Sequence, residues 1–230
     1  KSDYSILAIS GYQSLNYFDL ILNNTSSLGL VSKEAVVSAG HLYKKYSKNL
    51  LKKIFPLDSE HFSINYFLKN DQKKFIKKMI LTASGGPFLG KNFLSLKNVS
   101  FKAASTHPNW KMGYKNSIDS ATLSNKCLEL IEAHYLFDIP YEKLEIIIHP
   151  ESKIHSIFEY KNYIYNMLAF QNDMTIPLYH FLNQKYDFTL NNKKFSLLND
   201  SKLTFKSVKF SQFPIYKLFK NLNKELPSNI

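Results

Sequence analysis

Three carboxylates from distant stretches have the types and spacing for chemistry: Asp58 and Glu60 in "LDSEH", and Glu129 in "NKCLEL". Asp58 and Glu60 lie two apart at the end of a strand-like run, so an extended backbone points both carboxylates to one side. Glu129 falls in a helical stretch, where Asn125 (i−4) and Lys126 (i−3) share its face. No histidine or cysteine cluster competes with them, and such a set suits a hard, oxygen-loving cation such as Mg²⁺ or Mn²⁺. The plain alternative for the D-x-E pair is a solvated surface turn.

A second group of residues suits an anion. "TASGGPF" (82–88) reads as a strand running into a loop whose glycines let backbone N–H groups approach a ligand, with Ser84 as a hydroxyl donor. Ser120, Asn125 and Lys126 offer similar donors, and a phosphate held by two serines, an amide and an ammonium is sound chemistry. Between the two groups lies "HPNWKMG": His107, Trp110 and Met112 on a segment bounded by Pro108 and Gly113, which reads as a flap able to exclude water. The alternatives are an ordinary Gly-Gly turn and a surface loop whose tryptophan packs into the core.

The elements that must position these groups follow from periodicity. Residues 3–10 read as a buried strand, 11–24 as a helix, 27–32 as a second strand, "KEAVVSAGHLYKKYSKN" (33–49) as a helix, and "KKIFPLD" (52–58) as a third strand. That alternation is the mark of a doubly wound parallel sheet, with ligands at the carboxyl ends of the strands. Further on, 75–84 is strand-like and 119–137 reads as one long helix beginning at Asp119. "LEIIIHP" is a strand, and residues 152–170 form a strand and hairpin in the same layer. From about residue 185 the text turns polar, as in an arm or linker.

Composition narrows the partners. The 230 residues are 44% hydrophobic and 15% aromatic, enough for a folded core, and the apolar runs are too short to span a bilayer. The net charge of +12 invites a nucleic-acid reading, but all thirty basic residues are lysine. Without arginine the best reader of guanine and of bidentate phosphate is missing, so solvated lysine faces are the favoured reading, with neither nucleic acid nor membrane as partner. The single cysteine, Cys127, forbids an internal disulfide and fits a reducing compartment, with the cytoplasm as the default.

Taken in order, "SKEAVVSAG", "LDSEH", "ASGGPF", "HPNWKMG", "DSATLSNKCLE", "IEAHYLF" and "HPESKIHS" resemble the 1-deoxy-D-xylulose 5-phosphate reductoisomerases. The likeness is strongest from Asp58 to Tyr160 and persists in "DMTIP" (173–177). It implies an α/β fold: the C-terminal part of a Rossmann-like parallel-sheet domain (1–57), an α+β catalytic domain (58–185), and a linker arm (186–230) toward a helical domain. It also implies NADPH and Mn²⁺ or Mg²⁺ as cofactors, a sugar phosphate as substrate, and a homodimer when full length. By motif position, Asp58, Glu60 and Glu129 would hold the metal, and Ser84, Ser120, Asn125 and Lys126 the phosphate. Lys33, Ser59 and His107 would complete the substrate pocket under Trp110 and Met112. Lys33, Asp58, Glu60, His107 and Glu129 form the implied catalytic set, while Ser32, Glu34 and Gly113 match positions that touch the nicotinamide cofactor.

Two substitutions depart from the family pattern: Ser32 replaces an asparagine facing the cofactor, and Cys127 replaces a glycine, its thiol read as packing. None of the seven glycines forms a G-x-G-x-x-G turn, which the family carries upstream of Lys1. The chain therefore reads as the middle of such an enzyme. The competing reading is a remnant that binds metal or a phosphorylated ligand without turnover.

Overall fold

The computed structural model describes residues 1–46, 48–68, 70–106, 113–189 and 202–222. The chain begins with β1 (Ser2–Leu7), α1 (Leu15–Asn24), β2 (Thr25–Leu30), α2 (Lys33–Ala39), α3 (Lys48–Leu51) and β3 (Ile54–Pro56). The three strands form a parallel sheet in the order β1-β2-β3, with Leu7 beside Leu30 and Leu30 beside Pro56. This is the expected strand–helix alternation. Its core gathers Leu7, Phe18, Leu22, Leu28, Leu30, Ala35 and Val36, and each fully buried leucine contributes about 1.5–3 kcal/mol relative to exposure. β1 differs from the expected buried strand: only Leu7 is buried and Ile6 is 45% exposed, since among the described residues β1 pairs with β2 alone. The expected helix over 33–49 is also shorter, α2 giving way at Gly40 to a 3-10 turn.

Next come α4 (Ser59–Phe67), β4 (Ile76–Ala83), α5 (Phe101–Ala104), α6 (Tyr114–Thr122), α7 (Ser124–Phe137) and β5 (Leu144–Ile148). They are followed by β6 (Ile154–Tyr160), β7 (Tyr165–Ala169), α8 (Thr175–Leu182), β8 (Lys206–Ser207) and α9 (Pro214–Asn221). The second sheet runs β7-β6-β4-β5-β8, with β4 and β5 parallel and the other neighbours antiparallel. Met79, Leu81, Leu130, Ile146 and Phe158 lie at its core. Among the described residues no helix is long and apolar enough to cross a membrane.

Three expectations change here. The D-x-E pair is not extended: Asp58 caps α4, its carboxylate accepting the Glu60 N–H at 3.2 Å, so the pair converges through an N-cap rather than strand alternation. α4 leaves no amphipathic trace because Ser59 to Ile64 are all buried. The single helix from Asp119 is two helices that meet at Leu123, which takes a left-handed conformation (φ 71°) while its side chain is buried. Asp119 therefore lies inside α6, paired with Lys115 at 3.1 Å, and caps nothing. Within the stretch read as an arm, β8 pairs with β5, and α9 buries Tyr216 and Phe219 beside Phe213 in the second core.

The layout brings distant segments to one place. α7 crosses α2 so closely that a Cβ on Gly40 would lie 2.0 Å from the Tyr135 ring. The two helices thereby set Lys33, the first residue of α2, against the start of α7. The end of β3 supplies Asp58, and the end of β4 supplies Ser84, so both parallel strands deliver their carboxyl ends to one cavity.

Candidate active site

Asp58, Glu60 and Glu129 each place a carboxylate oxygen within 4.8 Å of the others. Two ammonium groups are threaded among them. Lys33 Nζ lies 2.9 Å from Glu129 Oε1, 2.9 Å from Asn125 Oδ1 and 3.2 Å from Asp58 Oδ2. Lys126 Nζ donates to Glu129 Oε2 at 2.7 Å and also to Glu60. The Asn125 amide donates to Glu129, and the Ser59 hydroxyl to Glu60. Lys33, Glu60, Asn125, Lys126 and Glu129 are all buried. Charges withdrawn from water persist only when paired in this way.

The pairing sets the protonation states. Burial opposes the charge on Asp58, but Lys33 and His61 outweigh it and hold the carboxyl well below its usual range. Lys33 and Lys126 are likewise held charged: burial works against them, while Asp58 and Glu129 raise Lys33, and Glu129 and Glu60 raise Lys126. Glu60 goes the other way, to about 7, because burial and the neighbouring Glu129 and Asp58 exceed the pull of Lys126. Three hard oxygen donors at this spacing fit one divalent cation.

Behind the cluster, His61 is fully buried. Its Nδ1 lies 3.3 Å from Asp58 Oδ1 and 3.3 Å from Glu132 Oε2, its Nε2 lies 2.9 Å from the Glu129 carbonyl oxygen, and its ring stacks on Phe137. Burial would lower its pKa, but Glu132 and Asp58 raise it to about 9. Sequence reasoning assigned His61 and Glu132 no role, although His61 closes the quoted "LDSEH".

In front of the cluster is a cavity of about 280 Å³. Ser59, Ser84, Gly113 and Ser120 line it together with Lys33, Asn125, Lys126 and the three carboxylates. The "GGPF" turn is fitted closely to the end of α6: Gly86 takes φ 65°, and a Cβ there would meet the Ser120 carbonyl oxygen at 2.7 Å. Only glycine satisfies both demands. The Ser84 hydroxyl accepts the Gly86 N–H at 3.1 Å, which fixes the turn at the cavity's rim.

Two expected cofactor residues stand apart. The Ser32 hydroxyl donates to the Ile9 carbonyl at 2.6 Å, tying α2 to the chain after β1, and Glu34 pairs with Lys115 at 3.2 Å; neither lines the cavity. Cys127 is buried in the second core, as expected of a packing thiol. His107, Trp110 and Met112 lie outside the described residues. The cavity also takes in Thr82, Asn116, Ser152, His155 and Met174, which sequence reasoning left without a role. Ser152 and His155 stand within "HPESKIHS" and Met174 within "DMTIP", so the signal was a motif to which no chemistry had been attached. Burial and then Lys126 lower the pKa of His155 to about 3, and its ring stacks on Phe170 at 4.0 Å.

Residues 54–137 match the family model of the 1-deoxy-D-xylulose 5-phosphate reductoisomerase C-terminal domain. The reductoisomerase of Pelagibacter ubique is 38% identical over 98% of this chain and 58% of its own length. That of Wolbachia pipientis wMel is 42% identical over 94% of this chain and 56% of its own. A reductoisomerase solved with NADPH, fosmidomycin and magnesium superposes with a TM-score of 0.85 at 35% identity, over 95% of this chain and 56% of that one. The Zymomonas mobilis enzyme, solved with NADPH, gives 0.83 at 31% identity, over 97% of this chain and 58% of that one. The chain spans rather more than half the length of the relatives it matches, and in sequence and fold it is similar to that part of the 1-deoxy-D-xylulose 5-phosphate reductoisomerases.

Proposed function

We propose that this chain carries the metal and substrate site for the NADPH-dependent conversion of 1-deoxy-D-xylulose 5-phosphate to 2-C-methyl-D-erythritol 4-phosphate, a step toward isoprenoid precursors. The observation that carries the reading is the convergence of Asp58, Glu60 and Glu129 within 4.8 Å, beside Ser84, Ser120, Asn125 and Lys126, on one small cavity. A five-carbon sugar phosphate needs a cation site for its carbonyl and adjacent hydroxyl, and an anion site a short distance away. Both are present.

In this reading Asp58, Glu60 and Glu129 hold Mn²⁺ or Mg²⁺, which when bound polarises the substrate carbonyl as a Lewis acid. Lys33, buried against Asp58 and Glu129, keeps both carboxylates oriented and offers N–H donors to a substrate oxygen. The hydroxyls of Ser84 and Ser120, the Asn125 amide and the Lys126 ammonium grip the phosphate, and Ser59 adds a hydroxyl beside Glu60. Holding the sugar at both ends confines its carbon skeleton for rearrangement, which is catalysis by positioning. Ser32, Glu34 and Gly113, as family-matched positions, would lie near NADPH, which would supply the hydride when bound. A second copy of the chain is the expected macromolecular partner.

The test is NADPH oxidation that requires both deoxyxylulose phosphate and Mn²⁺ or Mg²⁺ and collapses in Asp58→Asn. Inhibition by fosmidomycin is expected to accompany it. Metal and phosphate binding without NADPH oxidation in the full-length gene product would select the second reading, a binder without turnover.

A further inference from the structure

The imidazole of His61 joins the Asp58 carboxylate to the backbone of Glu129 from behind, and His61 itself does not line the cavity. Asp58 approaches the cluster from the N-cap of α4, whereas Glu129 approaches from the second turn of α7. A cation needs the two carboxylates at a fixed separation, and an N-cap side chain with 16% exposure is the one freer to swing away. His61 Nδ1 reaches Asp58 Oδ1 at 3.3 Å, while its Nε2 reaches the backbone carbonyl of Glu129 at 2.9 Å. One rigid ring therefore gauges the distance between the cap of α4 and the backbone of α7.

Glu132 completes the device. It lies one helical turn after Glu129, is 1% exposed, and brings Oε2 to 3.3 Å from His61 Nδ1. That oxygen accepts no hydrogen bond among the described residues, although it is buried. A carboxylate kept in so costly a place, facing the ring edge that also faces Asp58, fixes the ring's orientation. We propose that His61 and Glu132 are positioning residues that hold Asp58 at the separation from Glu129 that a divalent cation requires.

The inference rests on the proposed metal site, and its test reads cation affinity directly. Mn²⁺ binding would be followed by electron paramagnetic resonance on the whole chain, in wild type and in Asp58→Asn, His61→Asn, His61→Gln and Glu132→Gln. An asparagine amide occupies the place of Nδ1 and keeps a donor toward Asp58. A glutamine amide reaches the place of Nε2 and keeps only the bond to the Glu129 carbonyl. A positioning role predicts that His61→Gln weakens Mn²⁺ binding about tenfold or more, that His61→Asn recovers most of it, and that Glu132→Gln falls between. A ring that merely packs on Phe137 predicts equal losses in the two His61 variants, which would overturn the inference. So would an unchanged affinity in Glu132→Gln, an isosteric variant that serves even if both His61 variants fail to fold. If wild type and Asp58→Asn bind Mn²⁺ alike, the metal site is elsewhere and the proposed function fails with it. If only the His61 and Glu132 effects are missing, the site stands and the positioning role falls.

Discussion

Two walls of one cavity solve opposite problems. The helix wall, built from α2, α4 and α7, carries Lys33, Asp58, Glu60, Lys126 and Glu129, and every one of these charges has an oppositely charged neighbour. The sheet wall, at the ends of β4 and the start of β6, offers Thr82, Ser84, Ser152 and His155. Its hydroxyls bear no charge, and its one titratable group is pushed toward neutrality. Charge is thus confined to the wall where helix positions can bring partners from three segments. The comparison teaches that the cation end is assembled by mutual dependence, whereas the rest of the lining stands on burial and backbone hydrogen bonds.

The largest break would come from Glu129→Ala, because Glu129 contacts both ammonium groups. Removing it takes one of two carboxylate partners from each buried lysine, leaving Lys33 to Asp58 and Lys126 to Glu60, at a cost of up to about 3–5 kcal/mol, and takes away a cation ligand. Urea unfolding with and without Mn²⁺ reads both effects. The variant is expected to lose that stability and to gain none from the metal. A change below about 1 kcal/mol would show that the helix wall is not mutually dependent.

Acid probes the sheet wall. The folded state keeps His155 neutral down to about pH 3, while the unfolded chain binds its proton below about 6.5. Unfolding therefore takes up a proton between those values, and stability falls as pH drops through the window, by about 2 kcal/mol at pH 5. Glu60 and Glu132, raised to about 7, act with the opposite sign, since their folded forms bind protons more readily than their unfolded forms. The His155 contribution must be isolated by difference: the stability of His155→Gln relative to wild type is expected to shift in the variant's favour by about 2 kcal/mol between pH 7 and 5. Parallel limbs would mean that His155 is charged in the folded state.

What the sequence disclosed divides along the same line. Asp58, Glu60, Glu129, Asn125 and Lys126 were legible because charged and amide types at helical or i,i+2 spacing are conspicuous, and the parallel first sheet followed from its alternation of elements. The geometry that joins them was not. Asp58 works through a helix cap hidden because α4 is buried almost all round, and the break at Leu123 was masked because its apolar spacing continues through the kink. The sheet wall was harder still. Ser152 and His155 are ordinary types on or beside a strand, and only the tertiary approach of β6 to β4 gives them a cavity to face. Phe213, Tyr216 and Phe219 recur every third residue around a helix that starts at Pro214, a signal obscured by the polar text before it.

Lys126 is where the two walls communicate. Its ammonium is held by Glu60 and Glu129, yet it is also the charge proposed for the phosphate. A cation that occupies those carboxylates frees it, so Mn²⁺ and an anion should strengthen each other's binding. A coupling of about 1–2 kcal/mol, on the order of tenfold in each direction, is expected by calorimetry with inorganic phosphate in the presence and absence of Mn²⁺. In Lys126→Met the coupling should vanish while Mn²⁺ still binds. Coupling that survives in this variant would assign the communication to another group.

The smallest effect should lie just outside both walls. Lys115 on α6 bridges Glu34 on α2 at 3.2 Å and Asp119 at 3.1 Å, but its side chain is 56% exposed. Water and salt screen such pairs, so Lys115→Ala is expected to cost less than about 1 kcal/mol, and less again as salt is raised. Thermal melts at low and high salt measure both. The ammonium ties the cavity-lining helix α6 to α2, so a larger, salt-independent loss would mean that the two walls owe part of their spacing to this outer strut. A small loss would leave the closely fitted Gly86 turn as the contact that sets α6 against the sheet wall.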